Sequence, residues 1–156
     1  MTVNLQIGLA VPGEAQAIAM LSRDEIEHGL RWSWTAPRVL RAIHDRNTNV
    51  VVARESERVL GFALLQYDAD RAHLLLLGVA ASCRRRGIAS ALWQWLEETL
   101  RIAGIAAVRV ELRQSNTIAR AFYEKWGFEL INATSKYYQG RETALHMVKE
   151  LAPDRE

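Results

Sequence analysis

Cysteine is almost absent from this chain: Cys83 stands alone among 156 residues, so no intramolecular disulfide can brace the fold. Long apolar runs are missing too. The longest, Leu74 to Ala81 with Gly78 inside it, is far shorter than the ~20 residues that cross a bilayer, and no membrane partner is expected. The stretch after Met1 lacks the basic start and apolar core of a secretory signal, which with the lone thiol points to a cytoplasmic protein. An excess of one charge is also lacking. Twenty Lys plus Arg against eighteen Asp plus Glu leave +2, too balanced for a nucleic-acid binder. The histidines, His28, His44, His73 and His146, lack the spacing of metal ligands, so no metal is expected.

What remains is an ordinary globular composition, 49% apolar and 24% charged, with no repeat and no low-complexity linker. A single domain over residues 1–151 is expected, with a frayed tail at 152–156. Val3 to Leu9 reads as a first strand, and Pro12 opens a helix running to about His28 before Gly29. Thr35 caps a second helix from Ala36 to about Arg46. The β-rich runs Val50–Glu55, Val59–Tyr67 and Ala72–Val79, parted by turn residues, read as an antiparallel meander.

Ile88, Ala91, Leu92, Trp95 and Leu96 recur at helical spacing, which predicts a third helix from Arg86 to about Ile102. Ala107 to Leu112 is a fifth strand. Ser115 is expected to cap a fourth helix with Ile118, Phe122 and Trp126 as its buried stripe. Strands at 128–138 and 143–150, with Gly140 in the turn between them, complete the order β-α-α-β-β-β-α-β-α-β-β, an α/β (α+β) chain of about seven strands.

Arg84-Arg85-Arg86-Gly87-Ile88-Ala89 lies between the third strand of the meander and the third helix. A helix N-terminus offers unpaired backbone N–H groups, glycine lets an anion approach the main chain, and arginines add charge. The segment therefore suits a di- or polyphosphate, although an arginine triplet can equally be a solvated helix start.

Arg84, Gly87 and Ala89 match the Q/R-x-x-G-x-G/A signature, and the whole chain resembles the GNAT superfamily of N-acetyltransferases. Glu111, Arg113, Ser115 and Asn116 with Tyr123, Gly127 and Phe128 are similar to the E-x-R-x-S-N and Y-x-x-x-G-F blocks of the ribosomal-protein N-terminal alanine acetyltransferases. Tyr137-Tyr138 and Glu142 to Met147 are similar to that group's ending, with Thr143 where an Asp is usual. The resemblance implies the GNAT fold, a mixed, mostly antiparallel sheet flanked by four helices and splayed between strands four and five.

It also implies acetyl-CoA as donor. Arg84, Arg85, Arg86, Gly87, Ile88, Ala89 and Ser90 would hold its pyrophosphate, while Leu77, Gly78 and Val79 would hold the pantetheine arm with Asn116. Glu111 is then the general base, directly or through water, and Tyr123 the acid that protonates the leaving thiolate beside the coenzyme sulfur. A base matters because an ammonium has no lone pair: an α-amine of pKa about 8 is partly neutral at pH 7, a lysine of about 10.4 hardly at all.

Family members bind the acceptor between the first two helices, which here offers Glu27, Arg31, Trp32 and Trp34, and near the last hairpin, which offers Tyr138. The expected reaction is acetylation of a primary amine, a protein N-terminus or alternatively a small amine or amino acid. A coenzyme-binding module without catalysis would need neither Glu111 nor Tyr123. The chain is expected to be a monomer or a homodimer.

Overall fold

The β-branched and leucine-rich runs between Thr48 and Val79 pair as consecutive antiparallel strands, β2 (Thr48–Glu55), β3 (Arg58–Asp68) and β4 (Arg71–Val79). They sit inside a seven-stranded sheet ordered β1-β2-β3-β4-β5-β7-β6, with β1 (Leu5–Leu9), β5 (Ala107–Arg113), β6 (Glu129–Tyr138) and β7 (Glu142–Glu150). The computed structural model describes residues 4–138 and 142–151, so Val3, the turn at Gly140 and the tail at 152–156 lie outside the described residues. Only β4 and β5 pair in parallel, as the long crossover through a helix requires.

Helices cover both faces. α1 (Ala15–Leu21) and α2 (Ala36–His44) pack Ile18, Ala19 and Val39 on Val50, Val52, Phe62, Leu64 and Leu76. On the other face, α3 (Ile88–Ile102) and α4 (Thr117–Lys125) meet Val51, Ala63, Leu65, Val108, Val110 and Leu112. Central strands buried on both faces read as continuous apolar runs, which is why β2 and β3 show no alternation. Among the described residues, no helix is long and apolar enough to cross a membrane.

The sheet opens between β4 and β5. Their pairing runs from Arg71↔Ala107 to Leu74↔Val110 and then stops, although both strands continue. The cause lies on the other edge of β4: Leu64 pairs with Leu76 and Leu65 with Leu74, so Leu75 is an extra residue, a bulge that bends the strand. Beyond it, Leu77, Gly78 and Val79 stay paired to β3 and turn their other edge to the gap.

Three expected elements begin or end elsewhere. The first helix stops at Leu21 and widens into a π-helical turn, Ser22–Ile26. α3 begins at Ile88, because Arg85 and Gly87 adopt φ of 66° and 75° and the helix cannot start earlier. α4 is capped by Asn116, not Ser115: its Oδ1 accepts from the Ala119 N–H at 3.0 Å. With this start the buried face passes through Ala119 and Tyr123, while Ile118, expected in the core, is 79% exposed.

Candidate active site

Arg84 to Ser90 cross from the end of β4 into α3, beside the open part of the β4–β5 gap. Gly87 is the helix N-cap in the left-handed region, and no side chain among the described residues caps the N-terminus. The first N–H groups of α3 therefore face an approach that no Cβ obstructs at Gly87, where nothing lies within 4 Å of one. Arg84 is tied to Glu25 (2.8 Å) and Arg86 to Glu55 (2.8 Å), which holds two guanidiniums close to the loop they flank. An uncapped, cationic helix start next to a gap with free strand edges fits a long phosphorylated ligand, so the chemistry expected of acetyl-CoA and the residues present agree.

Glu27 organises the segment between the first two helices. The carboxylate is 7% exposed and accepts from Ser22 Oγ (2.7 Å), Ser33 N (2.7 Å), Ser33 Oγ (2.8 Å) and Trp34 N. That satisfaction is what a buried carboxylate needs, and it leaves Glu27 as the clamp of the loop. Trp32 donates through Nε1 to Trp34 O, with Arg23 over its ring, and Arg38 lies 3.8 Å from the Trp34 ring centroid. Both indoles are half-buried against the second core, whereas Arg31 is exposed.

This loop is fastened to the donor side. Arg113 of β5 donates to Ile26 O at 2.7 Å, Glu25 accepts from Ala81 N as well as Arg84, and a Cβ on Gly78 would come within 3.1 Å of Ile26. Gly78 is thus needed for the π turn to sit on β4.

β5 alternates as its sequence predicts: Val108, Val110 and Leu112 enter the α3 side of the core, and Arg109, Glu111 and Arg113 face the other way. There α1 and α2 do not reach, and Glu111 lines a cleft of ≈ 280 Å³ with Arg109, Ile131, Asn132, Thr134 and His146. His146 Nδ1 lies 3.7 Å from Glu111 Oε1, and its Nε2 is 2.8 Å from Thr134 Oγ1. The Tyr137 hydroxyl donates to Glu111, which makes that phenol harder to ionise than usual. His73, on β4 beside Arg109, has its imidazole held below the usual range, first by burial, then by Arg109 and His146 against the pull of Glu111.

Tyr123 stands across the sheet from Glu111. It is 8% exposed in the core below α3, edge-on to Phe122 (5.4 Å) and Phe128 (5.1 Å). The structure therefore puts the expected base and acid on opposite faces, with the strand gap between them. Ser115 is tied by its hydroxyl and N–H to Glu142 at the start of β7, which lowers that carboxyl below the usual range. The side chain of Tyr138 lies outside the described residues.

Residues 17–128 match the acetyltransferase (GNAT) family, more than half of the chain. The chain belongs to that family. Among relatives in the GNAT family, an uncharacterized N-acetyltransferase of Methanocaldococcus jannaschii is 36% identical over 100 residues, 64% of each chain. The [ribosomal protein bS18]-alanine N-acetyltransferase of Haemophilus ducreyi is 35% identical over 97 residues, 60% of this chain and 67% of that one. The matched stretch thus spans about two thirds of these curated relatives. Two solved structures show the same fold over nearly the full chain. The ribosomal-protein-S18-alanine N-acetyltransferase of Escherichia coli superposes with TM-score 0.84 at 24% identity, covering 97% of both chains. PaiA N-acetyltransferase of Thermoplasma acidophilum, in complex with coenzyme A, gives 0.77 at 18%, covering 94% and 98%.

Within this GNAT frame, the sequence placed Arg109 on the face of Glu111, and sequence reasoning missed Thr134, Tyr137 and His146 as its neighbours. One signal was available: pairing of the fifth and last strands sets Glu111 opposite His146. Among the described residues, no group of three or more His, Cys, Asp or Glu could hold a metal ion.

Proposed function

We propose that this chain is an acetyl-CoA-dependent N-acetyltransferase whose acceptor is a protein N-terminal α-amine. The observation that carries the reading is the position of Glu111, one residue beyond the last β4–β5 pair and on the open face, with Tyr123 on the closed face. Acetyl-CoA, the donor substrate, supplies an activated acetyl thioester. Arg84 to Ser90 bind its pyrophosphate, and Leu77, Gly78 and Val79 line the gap that receives its pantetheine arm, with Asn116 at the start of α4. Glu111 takes a proton from the amine, directly or through water, so that the nitrogen lone pair is free to attack. Tyr123 gives its proton to the departing sulfur and so keeps a poor leaving group from returning.

The cleft and the relatives support this acceptor. An extended N-terminus needs an open approach, and the cleft beside Glu111 is open to solvent between β5 and the outer strands. The Haemophilus ducreyi relative is by its name an N-acetyltransferase of an alanine of ribosomal protein bS18. Release of free thiol from acetyl-CoA, measured against N-terminal peptides and a panel of small amines, tests the assignment. Turnover with peptides supports it, and turnover confined to small amines replaces the acceptor. Coenzyme binding without turnover on any acceptor would refute an enzyme.

A further inference from the structure

We infer that His146 is the outlet for the proton that Glu111 collects, a relay residue acting through that carboxylate in the acetyl transfer proposed above, on which reading the inference rests. The need for an outlet follows from the proton balance. An ammonium R–NH3+ becomes the amide R–NH–CO–CH3: the N–C bond forms, the C–S bond breaks, and the nitrogen loses two protons. One ends on the sulfur as CoA–SH, by way of Tyr123. The other is released in every turnover, and Glu111 must shed it before it can accept again.

Tyr137 engages the carboxylate with its hydroxyl, and in the reading proposed above the amine sits on the cleft side. His146 is the cross-strand partner of Glu111 in β7, with Nδ1 at ion-pair range, 3.7 Å. Its Nε2 shares a 2.8 Å hydrogen bond with Thr134 Oγ1, and the tautomer in which Nε2 donates leaves the Nδ1 lone pair toward Glu111. Thr134 is exposed on β6, the outermost strand of the sheet. A proton passes from Glu111 to Nδ1 through one water, since 3.7 Å exceeds a direct hydrogen bond, leaves from Nε2 past Thr134, and reaches solvent on the side away from the strand gap.

The charged and titratable groups around the imidazole are Glu111 and Arg109 on β5 and His73 on β4, and Tyr137 on β6 lies edge-on at 6.0 Å between ring centroids.

The test uses the full chain, acetyl-CoA and a peptide acceptor turned over by the wild type. His146→Ala should lower kcat about 10-fold at and above about pH 7, where an imidazole is a proton acceptor, leave both KM values within about two-fold, and regain rate as imidazole is added to the buffer; the difference from wild type should shrink as pH falls. His146→Gln, which keeps a polar head of similar length, should show the same loss at neutral pH and serves alone if the alanine variant fails to fold. A wild-type pH profile in a folded variant overturns the relay, and so does a loss in His146→Ala that imidazole leaves unrepaired. A wild type that turns over no acceptor overturns the acetyltransferase reading instead.

Discussion

Glu111 and Tyr123 lie on opposite sides of the strand gap, and if they are the base and acid proposed above, the substitutions that remove the carboxylate and the phenol should separate. Glu111→Gln removes the base, which matters most where the amine is charged. Its kcat should fall about 100-fold at pH 7 and further at lower pH, with recovery toward alkaline pH. Tyr123→Phe keeps the ring packed on Phe128 and removes only the hydroxyl, so kcat should fall about 100-fold with the KM for acetyl-CoA within about two-fold. Steady-state kinetics across pH check both; wild-type rates in either would remove that residue from the chemistry. Both were named from the sequence by its resemblance to the family's motifs, with alternation along the strand setting Glu111 on the face away from Val110 and Leu112. His146 was not, because its meaning depends on a register between strands that are distant in the chain.

At the scale of elements, the loop between α1 and α2 holds its shape through one carboxylate. The resemblance offered Glu27 as an acceptor contact, but folding turns it inward, where Ser22 of the π-helical turn Ser22–Ile26 and Ser33 donate to it. No composition rule announces a π turn, so the inversion could not be read beforehand. Glu27→Ala strips the Ser33 and Trp34 N–H groups of their acceptor and should destabilise the fold by about 2 kcal/mol. It should also raise the acceptor KM several-fold while leaving that for acetyl-CoA nearly unchanged. Denaturant melts and kinetics measure the two effects, and an unchanged melt would show that the loop does not depend on this clamp. Of the stripe expected on α4, Phe122 and Trp126 do pack against the core beside the buried Tyr123, while Ile118, in the first turn after the Asn116 cap, is exposed.

At the scale of the whole molecule, element order and strand boundaries were legible because a sheet covered on both faces needs long apolar runs, and β2 to β4 supply them. The opening between β4 and β5 was known only through resemblance; a bulge at Leu75 is invisible in a run of four leucines. The same architecture makes stability depend on pH in two windows. His73 sits mid-sheet, where burial first and then Arg109 disfavour the imidazolium. Below its usual 6.5 the unfolded chain takes up a proton that the folded chain resists, so stability falls as pH falls.

Glu14, held by Arg54 at 2.6 Å, and Glu97, where Lys149 and Arg101 outweigh burial, are both lowered from 4.5. Their contribution is complete above 4.5 and is lost as pH drops through their folded values. Thermal melts should therefore decline in two stages on acidification, one beginning near 6.5 and one near 4.5. His73→Asn should flatten the first stage and leave the second, since asparagine stays neutral throughout. Arg54→Met should leave the first stage and shrink the second to the part that Glu97 supplies, because Glu14 then loses the guanidinium that lowers it. A first stage that survives in His73→Asn would place the acid sensitivity elsewhere in the fold.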